Sequence, residues 1–367
     1  MLSGAMDIIV ISEPDGQFRS SSFHVRFGSL KVVRSKKREI EIYINGRRKD
    51  VKMKLSNNGD AYFAFDELDE YMIKQSKLIR NKEFNANQKT LEDLISPVRV
   101  SKDEAILKKK YKSFFPSSNQ LKLLELKQGR NEICFVCSTS PGGVQTLKAN
   151  IYLWPYTSKL IISDVDGTIT KSDILGQVLP FFGKDWSHDG VAELFTNIYN
   201  NGYKIIYLTA RAIGQSSLTR YYLENLVQEK HILPPGPLLM SPDGIFASLK
   251  REVINKKPHL LKIPLLLEIK NLFPAEIKPL YAGFGNRETD AVAYRYLEIP
   301  MNKIFIIDTS SRVVQLGETK KTTYKTLAGI VDINFPKFNE SDEPDVSGAN
   351  LDNRNNISSN ENRLDNE

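Results

Sequence analysis

The sequence predicts an α/β protein in which a β-rich front half precedes a parallel sheet with helices on both faces. Three observations carry this expectation. From residue 157 onward, short apolar runs alternate with amphipathic stretches, the signature of repeated β–α units. Ahead of that point, alternating runs broken by turn residues read as strands alone. The apolar run Leu160 to Ile162 ends in Asp164-Val-Asp166-Gly167-Thr168, which sets two carboxylates at a strand's carboxyl end, where open α/β sheets collect ligands. Two like charges so close resist joint desolvation, which points to a divalent cation or a raised pKa on one of them.

The elements follow in chain order. Residues 7–66 hold the apolar Asp7 to Ser12, the alternating Phe23 to Phe27, and Glu39 to Ile44, which meets the turn signal Asn45-Gly46 and returns as Val51 to Leu55. Asn57 to Asp60 then turns the chain into Ala61 to Phe65. Residues 67–97 are polar, show no core period and read as a connector. Residues 98–156 resume β character, with strands at Asn131 to Ser138 and Thr146 to Trp154 around the turn Ser140 to Gly143. Neither block has strands enough for a sheet pair, so the two are expected to join as one β unit. Beyond 157, strands are expected at Leu160 to Asp164, Lys204 to Thr209, Pro237 to Ser241, Leu280 to Phe284 and Lys303 to Ile307. Helices are expected near 173–182, 189–200, 213–229, 260–272 and 288–297. Past Pro336 the composition turns to Asn, Asp, Glu and Ser, and the end reads as a disordered acidic tail.

Composition narrows the partners. The 367 residues are 41% hydrophobic, and no apolar run reaches the roughly 18 residues that suggest a bilayer span. Met1 to Ser12 lacks the basic and apolar segments of a signal peptide, and the two cysteines, Cys134 and Cys137, read as core residues of one strand in a reducing, cytosolic setting. His24, His188, His231 and His259 show no metal-ligand spacing and read as structural or surface residues. The net charge of +7 hides an asymmetry: residues 340–367 hold eight acids against two arginines, a net of −6, which leaves +13 on the rest. So basic a body favours an anionic partner: nucleic acid, an acidic membrane or a phosphorylated substrate. Aromatics that would stack on bases are sparse among the Lys and Arg residues of 7–66, so direct binding of nucleic acid is the weaker expectation.

Other predicted strand ends supply what the first lacks. Thr209-Ala210-Arg211 offers a hydroxyl and backbone N–H groups to a phosphate oxygen, Lys256-Lys257-Pro258 offers a cation, and Gly285-Asn286 to Asp290 brings an amide and a carboxylate. Together they make a parts list for magnesium-assisted phosphoryl transfer through an aspartyl phosphate. These segments resemble the four motifs of haloacid dehalogenase superfamily phosphatases. Ser163 to Asp173, Thr209 to Gly214, Arg251-Glu-Val-Ile and Phe284 to Arg287 further resemble the catalytic half of the lipin family, the Mg²⁺-dependent phosphatidic acid phosphatases. Leu2 to Val10, Phe23 to Gly28 and Ile44 to Gly46 resemble that family's N-terminal block.

The resemblance implies a division into an N-terminal block (2–66), a connector (67–97), further β strands (98–156), a haloacid dehalogenase-like catalytic domain (157–338) and the tail (339–367), with the two β blocks closing as an immunoglobulin-like sandwich. It implies Asp164 as nucleophile and Asp166 as general acid and base. Thr168, Thr209, Ala210, Arg211 and Lys257 would bind phosphate, with Lys256 as the alternative lysine. Mg²⁺ would be held by Asp164, Asp166, Asn286 and Asp290, and Gly28 would serve the fold. It implies phosphatidic acid in anionic membranes as substrate, and a cytoplasmic enzyme lying peripherally on the endoplasmic reticulum or reaching the nucleus, for which Lys36-Lys-Arg38 is a candidate address. Leu175 to Leu179 resembles the leucine motif of animal lipins that contacts coregulators, yet its leucines recur at helical spacing and read as a core-facing helix. Family members open with an amphipathic interfacial helix, and this sequence starts after it, so weak or partner-dependent membrane affinity is expected. The alternatives are a phosphatase for soluble esters and a non-catalytic membrane or transcriptional scaffold.

Overall fold

A computed structural model describes residues 3–28, 39–65, 111–139, 143–171, 186–241 and 259–339. The connector, Lys36 to Arg38, the helix expected at 173–182 with its Leu175 to Leu179 motif, Lys256, Lys257 and the acidic tail lie outside the described residues.

The two β blocks share one sheet. Its strands are β1 (Ile8–Ser12), β2 (Phe18–Ser20), β3 (Glu39–Ile44), β4 (Arg47–Leu55), β5 (Ala61–Phe65), β6 (Tyr111–Ser113), β7 (Gly129–Thr139) and β8 (Gly143–Pro155). Among the described residues they run β2-β1-β8-β7-β3-β4-β5-β6. All neighbours are antiparallel except β1 and β8, which pair in parallel from Ile8↔Ile151 to Ser12↔Pro155. The β3–β4 hairpin closes on Asn45 (φ 50°) and Gly46 (φ 78°), the left-handed pair that matches strand twist. Phe23 sets its ring edge-on to both Phe63 of β5 and Phe135 of β7, at 5.3 and 6.4 Å. Cys137 is buried in this core and Cys134 is half-exposed, on opposite sides of β7.

The second sheet contains β9 (Leu160–Asp164), β10 (Lys204–Ala212), β11 (Leu238–Ser241), β12 (Leu280–Gly285), β13 (Ile304–Ile307), β14 (Val313–Gln315) and β15 (Lys321–Thr322), in the order β11-β10-β9-β12-β13-β14-β15. The first five of these are mutually parallel, as expected from repeated β–α units. β14 and β15 add antiparallel strands at one edge, a feature too short to read as a pattern in the sequence. The helices include α1 (Ser118–Leu123), α2 (Val191–Asn200), α3 (Ser216–Glu224), α4 (His259–Lys270), α5 (Glu288–Tyr296) and α6 (Tyr324–Gly329). The helix expected over 213–229 stops at Glu224. Asn225 caps it by donating its side-chain N–H to the Tyr221 carbonyl, and Val227–Gln228 then pairs antiparallel with His231–Ile232 around the left-handed Glu229.

One strand pair serves both cores. On β1, Ile8 and Val10 enter the β-unit core while Ile9 and Ile11 enter the core of the α/β unit. On β8, Ile151 and Leu153 face the first core, Tyr152 and Trp154 the second. Alternation along a strand thus puts both faces to apolar use, which explains why Ile8 to Ile11 reads as a continuous apolar run. Asp7, fully buried just before β1, fastens the same wall. Its carboxylate accepts from Asn150 N (2.7 Å), Leu238 N (2.9 Å) and Arg220 Nε (3.0 Å), joining β8, β11 and α3. Glu268 on α4 makes a second tie by accepting from Ser22 N and Oγ at 2.6 and 2.9 Å. Removing one member of a buried ion pair leaves the other charge uncompensated, so Asp7→Ala is expected to cost about 3–5 kcal/mol. Urea unfolding followed by near- and far-ultraviolet circular dichroism checks this, and the two signals should still fall together because the cores share a wall.

Candidate functional site

The second sheet places its site by topology. The chain steps from β9 to β10 to β11 on one side, then returns to β12 and β13 on the other, so β9 and β12 are neighbours whose connections leave in opposite directions. A crevice opens at the carboxyl ends of such a pair. Asp164 is the last residue of β9, and Asp290 lies in the first turn of α5, just after β12.

Both carboxylates are buried and meet at one cation. Lys262 Nζ, from α4, lies 2.6 Å from Asp164 Oδ1 and 2.6 Å from Asp290 Oδ1. The other oxygen of Asp290 accepts from the backbone N–H groups of Asn286 and Arg287, each at 3.1 Å, so it caps α5 while facing the site. Gly285 makes this approach available: a Cβ there would stand 2.4 Å from Asp290 Cβ. Thr168 Oγ1 lies 3.5 Å from Asp164 Oδ2.

A second cluster sits alongside. Asp166 accepts from Thr209 Oγ1 at 2.6 Å and from Arg211 Nε and Nη2 at 3.0 and 2.6 Å. Arg211 is itself steadied by donating from Nη1 to Thr219 Oγ1 at 3.1 Å, and its backbone N–H donates to Thr209 Oγ1 at 3.2 Å. The structure therefore brings together Asp164, Asp166, Thr168, Thr209, Arg211 and Asp290. It spends Thr209 and Arg211 on Asp166, where the sequence assigned them to phosphate. Ala210 is exposed between them. Asn286 contributes its backbone N–H to Asp290, and Gly28, remote from these groups in the β unit, donates its N–H to Ser3 Oγ at 2.7 Å. Lys257 lies outside the described residues; among those described, the cation at this centre is Lys262. That lysine was missed because it lies inside an apolar helix, His259 to Lys270, rather than beside a turn. A charge set between Leu260-Leu261 and Ile263 to Leu267, the most apolar part of that helix, was the available signal.

Burial raises the pKa of Asp164 well above the usual carboxylate range. The Lys262 ammonium pulls it down, and Asp290 and Asp166 push it up again. Burial also works against the charge on Lys262, but its two carboxylate partners outweigh burial and raise its pKa, so it stays protonated. Among the described residues no three His, Cys, Asp or Glu side chains gather as a ready-made metal cage. The donor set nonetheless fits a hard cation. Two buried carboxylates aim an oxygen each at one point, at present satisfied by an ammonium.

These features define a class: an α/β protein whose parallel sheet carries an acidic, cation-holding centre at its topological switch point. Sequence comparison then supplies the family. Residues 112–336 match LNS2 (Lipin/Ned1/Smp2), and residues 1–81 match the lipin N-terminal conserved region. The chain belongs to the lipin family. It is 48% identical over 237 residues, 64% of its length, to "Phosphatidate phosphatase PAH1" of Arabidopsis thaliana, and covers 26% of that protein. It is 44% identical over 230 residues, 62% of its length, to "Phosphatidate phosphatase LPIN1" of Homo sapiens, covering 26% of it. With "Nuclear elongation and deformation protein 1" of Schizosaccharomyces pombe it shares 44% identity over 236 residues, 63% of this chain and 36% of the relative. The chain thus spans roughly a quarter to a third of the length of these relatives.

A raised carboxyl pKa means that the folded state binds a proton more tightly than the unfolded chain. The stability Asp164 contributes is complete below its unfolded value near about 4 and is lost as pH rises through the higher folded value. Glu268, raised by burial, acts with the same sign. A cation held by Asp164 competes with that proton. Divalent cations are therefore expected to raise the melting temperature more at pH 8 than at pH 5.5, which calorimetry with and without added Mg²⁺ measures.

Proposed function

We propose that this chain is a Mg²⁺-dependent phosphatidate phosphatase, releasing diacylglycerol and phosphate at a membrane surface through an aspartyl-phosphate intermediate. The observation that carries the reading is the buried Asp164–Lys262–Asp290 triad at the switch point, with Asp166 two residues beyond the nucleophile. The names of the relatives support the substrate class. We read the second sheet as a haloacid dehalogenase-like catalytic domain over residues 157–338 and the first as an immunoglobulin-like unit built from 2–66 and 98–156. We place the enzyme peripherally on the cytoplasmic face of the endoplasmic reticulum, without direct nucleic acid binding. Among the described residues no helix is long and apolar enough to cross a membrane.

In this mechanism Asp164 attacks phosphorus in line as the bond to the glycerol oxygen breaks, and Asp166 gives that departing oxygen its proton. Water then attacks the aspartyl phosphate, passing its proton to Asp166 and returning Asp164 as a carboxylate. Lys262 holds the nucleophile and stabilises charge on the transferring group. Arg211 and Thr209 hold Asp166 in place between turnovers. Proton donation requires the Asp166–Arg211 pair to loosen when the anionic substrate enters, a phosphate oxygen offering the guanidinium a replacement partner, and Asp166 to take up a proton from solvent before the bond to the glycerol oxygen breaks. Asp164, Asp290 and the Asp166 carbonyl, with Asn286 nearby, would hold Mg²⁺, whose charge would offset repulsion between nucleophile and phosphate.

The test is phosphate release from phosphatidic acid in liposomes and from water-soluble phosphate monoesters. Asp164→Asn and Asp166→Asn should each lower turnover by at least about 10²-fold with circular dichroism unchanged. Chelation should abolish activity and Mg²⁺ restore it. A folded Asp164→Asn enzyme with wild-type turnover would sink the mechanism, and faster turnover of soluble esters than of the lipid would sink the substrate class.

A further inference from the structure

His188 is buried outright, stands outside both clusters above, and is held at both ring nitrogens. Its backbone belongs to a short segment that zips along the end of the acidic turn. Lys171 N donates to the Trp186 carbonyl at 2.7 Å, Thr170 bridges Ser187, and His188 N donates to the Ile169 carbonyl at 2.9 Å. From there the ring reaches back under the turn, with Nε2 3.3 Å from the Gly167 carbonyl oxygen and Nδ1 2.8 Å from Ser311 Oγ. A carbonyl only accepts, so Nε2 must carry the proton, and Nδ1 is then free to accept from the Ser311 hydroxyl. Burial, which favours the uncharged ring, agrees with that tautomer. The neighbouring carbonyl, that of Thr168, is held in the same way by the buried Tyr324 hydroxyl at 3.1 Å, and the Tyr324 ring stands edge-on to His188. Ser311 sits in a turn fixed by Asp308 Oδ1, which accepts from Ser310 N and Arg312 N at 2.9 and 3.0 Å. The turn that carries Asp166 is therefore anchored from the loop after β13, on the far side of the switch point.

We propose that His188 is a positioning residue for catalysis: its Nε2–H fixes the Gly167 carbonyl and thereby keeps the adjoining Asp166 in register with Asp164 and Thr209. The proposal rests on the general acid role given to Asp166 above. A simple packing role would require only a ring-sized apolar group, whereas this one requires a donor at the Nε2 position.

Three variants and one spectrum test it. His188→Leu keeps bulk and loses the donor. It should lower kcat on phosphatidic acid by about 10²-fold, the cost of a small misplacement of a reacting group, and leave KM within about twofold. His188→Gln carries an amide N–H near the Nε2 position and should recover most of that loss. Ser311→Ala frees Nδ1 and should lower kcat a few-fold without moving KM. Independently of turnover, the imidazole ¹⁵N spectrum of the wild-type protein at pH 7 should show His188 as the Nε2–H tautomer. A folded Leu variant with wild-type kcat, a Gln variant no faster than Leu, or an Nδ1–H tautomer would each overturn the proposal. If Leu fails to fold, the Gln and Ser311→Ala variants and the spectrum still decide it. A wild-type protein inactive on every phosphate ester would instead overturn the phosphatase reading, and the tautomer would still report on the Gly167 contact.

Discussion

A β-strand buried on both faces is the constraint on which the rest of the molecule depends. Ile8 to Ile11 faces no solvent, since alternate side chains belong to different cores, and its parallel partner Ile151 to Trp154 divides in the same way. Burying four large aliphatic side chains contributes on the order of 6–12 kcal/mol before the entropy of ordering them is subtracted. Neither core can be completed without this wall. The polar cost of running backbone through such a seam is met by Asp7, which takes two backbone N–H groups and a guanidinium on one carboxylate. The N-terminal block is thus one wall of the unit that carries the chemistry rather than an accessory module.

Helix α4 links that wall to the site. Glu268 ties α4 to Ser22 of the β unit, and Lys262 on the same helix stands between Asp164 and Asp290. Two buried carboxylates cannot both stay ionised at this distance without a cation, because desolvation and mutual repulsion act in the same direction. The lysine is therefore a condition for the site to exist in its charged form, and its position depends on the docking of a segment more than two hundred residues away in sequence. The pairing of Asp166 with Arg211 solves the same problem in its neighbour with a different cation.

Much of this was legible in the sequence, for reasons that can be given residue by residue. The strand at Leu160–Asp164 matches its expected bounds, because a fully apolar run ending in Asp-x-Asp-Gly admits few other readings. The turn at Asn45-Gly46 was readable because its backbone conformation is costly for most other residue pairs. Joining the two β blocks into one unit followed from counting strands, and the pairing of β3 with β7 supplies the junction. What stayed hidden was long-range or one-sided information. The apolar residues around Lys262 set it apart locally, but what it faces is fixed only when the topology brings α4 over the strand ends. The pairing of Arg211 with Asp166 is a matter of distance, which spacing in sequence does not encode. His188 reads from the sequence as structural or surface, because a lone histidine has no spacing to interpret, and its complete burial is decided by the fold. The continuous apolar run of β1 showed burial on two faces without showing that the faces belong to different cores.

Charge decides how such a site can accept an anion. With Asp164 in the ionised form that acts as nucleophile, Asp164, Asp290 and Lys262 sum to one negative charge, and Asp166 with Arg211 sums to none. A phosphate monoester brings about 1.5 to 2 further negative charges. At about 4 Å, a pair of unit charges near a protein surface interacts by roughly 4 kcal/mol, so entering a centre that is already anionic is unfavourable as the protein side chains stand. Replacing the net of minus one by plus one takes a divalent cation and nothing smaller. A second lysine in the described crevice could only bring it to neutrality, and it would compete with Lys262 for the same carboxylate oxygens. The resting arrangement, stable with one ammonium and short of positive charge for an anionic substrate, is thus itself the physical reason to expect a metal-dependent reaction here.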